Sequence, residues 1–212
     1  MADNDIDMNQ IIHAAVRRDL ARTESALRAM PDGDAKRAAD IQRAWGFLWS
    51  ELRRHHEGED THIWPYVRGL GVVDAAVVDA MEAEHDDMGA SCEAATTAID
   101  AAAAAPTNAN ATAAADAVAA AAKVTSAHLD HEESAITPVI KERVETPEWK
   151  AVEKELRKAS PTTAGQFFAW LQDGADPEVL AALRSIMPAP VLLILGRGLG
   201  MSYHRRIAPV WR

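Results

Sequence analysis

His55-His56-Glu57-Gly58-Glu59-Asp60-Thr61-His62-Ile63-Trp64-Pro65 and His128-Leu129-Asp130-His131-Glu132-Glu133-Ser134-Ala135-Ile136-Thr137-Pro138 share one layout. Each has a histidine, a glutamate four residues on, a second acid beside it, isoleucine at plus eight and proline at plus ten. Residues four apart on a helix project from one face, one turn above the other. Each copy can therefore offer an imidazole nitrogen and a carboxylate to one point in space, and two such helices facing each other would surround a pair of metal ions. Angle chooses between the neighbouring acids. At about 100° per residue, plus four lies roughly 40° from the histidine and plus five roughly 140° away. Glu59 and Glu132 are thus the ligand candidates, whereas Asp60 and Glu133 are expected to face solvent or to hold a ligand histidine from behind.

Four long periodic segments can position these groups: Ile6 to Met30, Asp34 to Val67, Val73 to Ala104 and Thr112 to Val144, separated by proline and glycine breaks. A low-complexity Ala/Thr/Asn stretch leads into the fourth. Four helices on short connections predict an all-α protein built on an antiparallel four-helix bundle. The inward seam of each, read in steps of three and four, is apolar except at chosen points. Ile41, Trp45, Leu48 and Leu52 lead to His55 and Glu59; Val118, Ala121 and Thr125 lead to His128 and Glu132. Val78, Met81, Met88 and Cys92 surround His85, and Val16, Leu20 and Leu27 follow His13.

A buried carboxylate without a partner costs several kcal/mol. Two of them among four histidines require compensation, which bound cations supply directly; hydrogen-bonded His–Glu pairs are the competing explanation for any one pair. The convergence of His13, His55, Glu59, His85, His128 and Glu132 on four seams favours metal. His56, His62, His131 and His204 fall off the seams and read as surface or supporting residues, and Cys92 as a small apolar filler.

The totals narrow the function classes. A chain of 212 residues can bury a core as one domain, and 48% hydrophobic with only 5% aromatic residues favours helices over sheet. The formal charge of −10, from 22 basic and 32 acidic groups, opposes a phosphate backbone or an anionic membrane, so neither nucleic acid nor membrane is an expected partner. The lone Cys92 excludes an intrachain disulfide and fits a reducing compartment. The acidic start lacks the basic and apolar stretches of a signal peptide, and Val191 to Leu195 is too short to cross a bilayer. A cytoplasmic protein is expected.

With these elements in hand, the chain resembles the hemerythrin-like, or HHE cation-binding, family. The resemblance rests on His13, the HHEGEDTHIWP element, Glu84-His85-Asp86 and HLDHEESAITP, over residues 5 to 145. It implies a four-helix bundle holding two non-haem irons, with His13, His55, His85 and His128 as terminal ligands and Glu59 and Glu132 as bridges. Oxygen carriers of the family have a fifth histidine where this chain has Met81, and place the acid of the fourth helix at plus five rather than plus four. A thioether is a poor ligand for iron. One metal would then keep a position open for water, oxygen, peroxide or nitric oxide, or be met differently, for instance by Glu84.

Residues 1–146 are accordingly read as the metal-binding bundle and 147–212 as a helical extension. Short helices are expected over Glu148 to Ala159, from Pro161, from Asp176-Pro177 with Asp176 as N-cap, and from Pro190 to Arg206. The extension is expected to pack on the bundle, with a lid or a dimer surface as alternatives. Gly196, Gly198 and Gly200 lack the context of a phosphate loop. The leading functional expectation is a di-iron protein that binds, senses or reacts with O2, H2O2 or NO, peroxide decomposition being the preferred reaction if it is an enzyme. Iron storage or sensing without turnover, and a helical interaction module, are the alternatives.

Overall fold

The computed structural model describes residues 6–212; residues 1–5 of the acidic start lie outside the described residues. Among the described residues the regular structure is helical, with no strand. Its first part comprises α1 (Met8–Arg28), α2 (Ala35–Gly58) with its continuation α3 (Trp64–Leu70), α4 (Ala75–Ala104) and α5 (Asn108–Ala135). Side chains begin each long helix by accepting orphan N–H groups. Asp7 and Gln10 form a reciprocal capping box, Asp34 accepts from the Arg37 N–H, Asp74 from Ala76 and Thr107 from Asn110.

α1 lies between α2 and α5, and α4 lies between the same two on the other side. Contacts fix the direction of travel. Along α1, His13, Arg17 and Arg28 meet Glu133, Asp130 and Asp116 in turn, so numbers fall on α5 as they rise on α1. Gln42 meets Asp100 while Trp45 meets Thr96, giving the same opposition between α2 and α4.

Two boundaries differ from the sequence expectation. α5 starts at Asn108 rather than Thr112, because the alanines of the low-complexity stretch are strong helix formers once Thr107 caps them. Ala111, Ala114 and Ala115 are buried, where small side chains let neighbouring helices approach. α5 also ends at Ala135, not Val144, and α6 (Thr137–Lys141) resumes after a break next to Pro138. In the first copy the matching proline, Pro65, is absorbed differently. The chain stays helical but widens into a π-helical turn, Glu59–Ile63, in which the Trp64 N–H reaches back five residues to the Glu59 carbonyl. That widening accommodates a proline, which lacks an N–H and crowds the carbonyl four residues earlier.

The polar donors occupy a layer between two separate apolar clusters. Leu48, Leu52, Met88, Val118, Ala121 and Leu129 belong to the larger one. Ile63, Trp64, Val67, Val78, Met81, Ile136 and Trp149 form the smaller one beyond the layer. The Ile-x-Pro ends of both motif copies thus help close one side of the centre.

The rest of the chain forms α7 (Pro147–Leu156), α8 (Pro161–Gln172), α9 (Pro177–Ile186), α10 (Ala189–Leu193), a π-helical turn Ile194–Leu199, α11 (Met201–Arg206) and a final 3-10 turn. Phe168, Trp170, Leu171, Leu183, Tyr203 and Val210 join the same apolar cluster as α1 and α2. The Trp170 indole donates to the buried Asp19 at 2.9 Å. Asp176 stands at the N-cap of α9 as expected, but its side chain makes no capping bond. Gly196 and Gly200 serve packing, whereas Gly198 faces open space: a Cβ at Gly200 would lie 2.6 Å from the Ala169 Cβ, so α8 can approach only a bare backbone there. No single helix among the described residues is long and apolar enough to cross a membrane.

Candidate metal centre

α1, α2, the π-helical turn that follows it, α4 and α5 deliver seven donors to the buried layer, and these fall into two groups. The ligand atoms of His13, His55, Glu59 and Glu132 lie within 4.8 Å of one another, as do those of His56, Glu59, His85 and His128. All six residues singled out in the sequence are therefore brought together, and Glu59 belongs to both groups. Glu132 belongs to the first alone. Glu59 is thus the carboxylate common to both groups, while the Asn9 amide donates to Glu132 Oε1 at 2.8 Å.

The seventh, His56, was expected at the surface or in a supporting role, and the surface alternative fails. It is buried, and its ring lies 4.3 Å from that of His85 and 5.5 Å from that of His128. α2 has α1 on one side and α4 on the other, so consecutive residues about 100° apart can each face a neighbour across the layer. His55 turns towards His13 and His56 towards His85 and His128. The signal was in the sequence: Glu59 is four residues from His55 and three from His56, and both spacings share a helix face.

The histidine rings are held from behind. A carboxylate can only accept, so the Nδ1–H groups donate: His13 to Glu133 at 2.8 Å, His85 to Asp60 at 2.8 Å and His128 to Glu84 at 3.0 Å. This is the arrangement in which an outer carboxylate fixes the tautomer of a metal-binding imidazole. Of the two roles left open for Asp60 and Glu133, each takes the supporting one. Glu84, the alternative ligand, accepts from His128 and also from His131 Nδ1 at 2.8 Å. Arg17 anchors Glu133 in turn.

With Nδ1 of His13, His85 and His128 committed, their Nε2 atoms point inwards, as does that of His55. His85 and His128 Nε2 stand 3.1 Å apart, and His13 and His55 Nε2 stand 3.2 Å apart. Two bare lone pairs at this distance repel unless a proton or a cation lies between them. Nitrogens on adjacent positions around one metal, each about 2.1 Å from it, would be about 3 Å apart.

Glu59 makes the same point for oxygen. It is buried at 2% exposure and neither oxygen accepts a hydrogen bond, although His55 Nε2 is 3.0 Å and His85 Nε2 is 3.4 Å away. Burial and the neighbouring Glu132 and Asp60 push its carboxyl well above the usual carboxylate range. Burial, together with neighbouring His13, drives the His55 imidazole down to about 3. Burial also works against the His13 cation, but the Glu132 and Glu133 carboxylates overcome it and raise that imidazole. Such a centre needs positive charge, and divalent cations fit it better than a set of shared protons.

The remaining sequence candidates stay out of the donor set. Met81 is fully buried in the smaller apolar cluster, and Cys92 is buried in the larger. His204 Nε2 lies 3.1 Å from the Gly196 carbonyl, and His62 joins neither group. A cleft of about 370 Å³ between α4 and α5, lined by Glu84, Asp87, Lys123, Val124, Ala127 and His128, opens beside the second group.

Comparison with known proteins agrees with this geometry. Neither the curated proteins nor the solved structures gave a match. The family model of the hemerythrin HHE cation-binding domain matches residues 6–140, which span both motif copies and every donor described above. With well over half its length matched, the chain belongs to the hemerythrin HHE cation-binding domain family.

Proposed function

We propose that the chain is a non-haem di-iron protein that binds or reacts with a small oxidant: O2, H2O2 or NO. In this reading residues 1–146 are an antiparallel four-helix bundle of the hemerythrin type, and residues 147–212 a helical extension packed on it. His13, His55 and Glu132 would hold one iron, His56, His85 and His128 the other, and Glu59 both. Bound iron supplies one-electron redox chemistry and an exchangeable position for the small ligand. The observation that carries the proposal is the Glu59 carboxylate, buried without a hydrogen bond between two sets of inward-facing imidazole nitrogens.

The protein's own groups would tune that centre. Glu133, Asp60 and Glu84 hold ring protons outwards and keep the Nε2 lone pairs free for metal. The smaller apolar cluster excludes water from one side, and the α4–α5 cleft gives a small molecule a path towards His128. Peroxide decomposition is the enzymatic form of the proposal.

Binding or sensing without turnover is a second reading with its own support. The acids nearest the donors, Asp60, Glu84 and Glu133, all accept from histidine rings, so none of them is uncommitted for proton delivery.

Protein purified without chelators and reconstituted anaerobically with ferrous iron tests both. Retention of two irons per chain is expected, with a spectral change on admitting air, peroxide or nitric oxide. Catalysed peroxide loss, abolished by Glu59→Ala, selects the enzyme; a reversible spectral change without peroxide loss selects the binder. Retention of no more than one metal per chain would remove the dinuclear centre.

A further inference from the structure

The net charge of −10 conceals a segregation. All 32 acidic side chains lie before residue 179, together with 17 of the 22 basic ones. Residues 1–178 therefore carry −15 and residues 179–212 carry +5, as Arg184, Arg197, Arg205, Arg206 and Arg212. All five are exposed, and among the described residues only Arg212 meets a carboxylate, that of Asp173 at 3.5 Å.

The same stretch gathers exposed apolar surface. Among the described residues, six of the ten exposed large hydrophobic side chains fall between residues 186 and 201: Ile186 41%, Val191 38%, Leu193 55%, Ile194 63%, Leu199 40% and Met201 44%. They lie around a corner where α9 and the helix from Ala189 to Leu199 meet at 113°. Neighbours on that helix, such as Leu192 and Gly196, are buried, so the segment is docked through one side and bare on the other.

We propose that this corner is a peripheral docking site for an anionic lipid surface, into whose interface the aliphatic side chains insert while the arginines meet the headgroups. Val191 to Leu195 alone is too short to span a bilayer and the pair of helices is bent at 113°, a shape that suits a shallow insertion of ~5–10 Å. Charge chooses the occupant. Two copies meeting corner to corner would oppose Arg197 and Arg205 to their own equivalents. An acidic protein partner is the less suitable fit, because none of the six exposed side chains is aromatic and protein hot spots favour Trp and Tyr.

Co-sedimentation of the iron-loaded full chain with phosphatidylcholine vesicles, with and without phosphatidylserine, tests this. Binding only to the phosphatidylserine vesicles, weakened by salt, is expected. Leu193→Ser with Ile194→Ser should lower binding by tenfold or more, and Arg197→Gln with Arg205→Gln by roughly fivefold for each arginine. All four positions are exposed, so iron content and circular dichroism should stay unchanged in both variants. The proposal is overturned if the wild type stays in the supernatant, or if either pair leaves binding intact. It is also overturned if the apolar pair instead dissolves a self-association seen without vesicles, which would give the corner to a second copy.

Discussion

Within the donor layer and its supporting acids the two motif copies converge at three positions and part at plus one. In both, the histidine and the glutamate four residues on enter the donor layer. In both, the acid at plus five reaches to a histidine on another helix: Asp60 to His85 and Glu133 to His13. The copies part at plus one, where the first has His56 and the second has Leu129, buried in the larger apolar cluster. Glu59 is therefore flanked by imidazoles at both helical spacings and lies in both groups, whereas Glu132 belongs to one and gives its other oxygen to Asn9. The consequence is an unequal pair of sites. One offers two histidines and two carboxylates, the other three histidines and one carboxylate.

Removing the shared carboxylate should have the largest effect. Glu59→Ala is expected to abolish binding at both positions while leaving a folded chain, read as metal content beside a thermal melt. In the metal-free state the same change removes a buried unpaired carboxyl, so stability should rise by about 1–3 kcal/mol rather than fall. Making the copies alike at plus one comes next. His56→Leu should halve the bound metal, sparing the site of His13, His55 and Glu132; loss of both ions would show that the sites are not separable.

A pH series sharpens the role of Glu59. Its raised pKa means that the metal-free native state binds a proton more tightly than the unfolded chain. Stability from this group is full below the ordinary value of 4.5 and falls as pH rises above it. His55 works in the opposite sense, costing stability as pH falls from 6.5 towards about 3. The difference between wild type and Glu59→Gln isolates the carboxyl: the variant should lack the decline on the alkaline side, and metal-loaded wild type should lack it too. The smallest effects belong to the supporting acids. Glu133→Gln and Asp60→Asn should each weaken metal affinity by roughly 10–100-fold. Glu133 should act on the site of His13 and Asp60 on that of His85, as titration of the two ions would register.

Helical arithmetic made the six original donors legible, because a polar residue on an apolar seam is conspicuous. It also favoured Glu59 and Glu132 over the acids beside them, and both lie in the donor groups. His56 was missed because a seam was treated as a single line, whereas a helix between two partners presents a broad sector. Asn9 left no signal, since it meets Glu132 across 123 residues of chain. The histidines to be held by Asp60 and Glu133 were equally hidden, because the contacts are between helices. The low-complexity alanines concealed the first turn of α5, although Thr107 was there to cap it. Composition averaged over the chain also hid the basic, apolar corner beyond residue 178.

Anomalous diffraction at the iron edge, from crystals of the reconstituted protein, would locate the ions themselves. Two peaks are expected, one on either side of the Glu59 carboxylate, the first among His13, His55 and Glu132 and the second among His56, His85 and His128. A single peak, or two peaks that do not share Glu59, would refute a centre joined by that carboxylate.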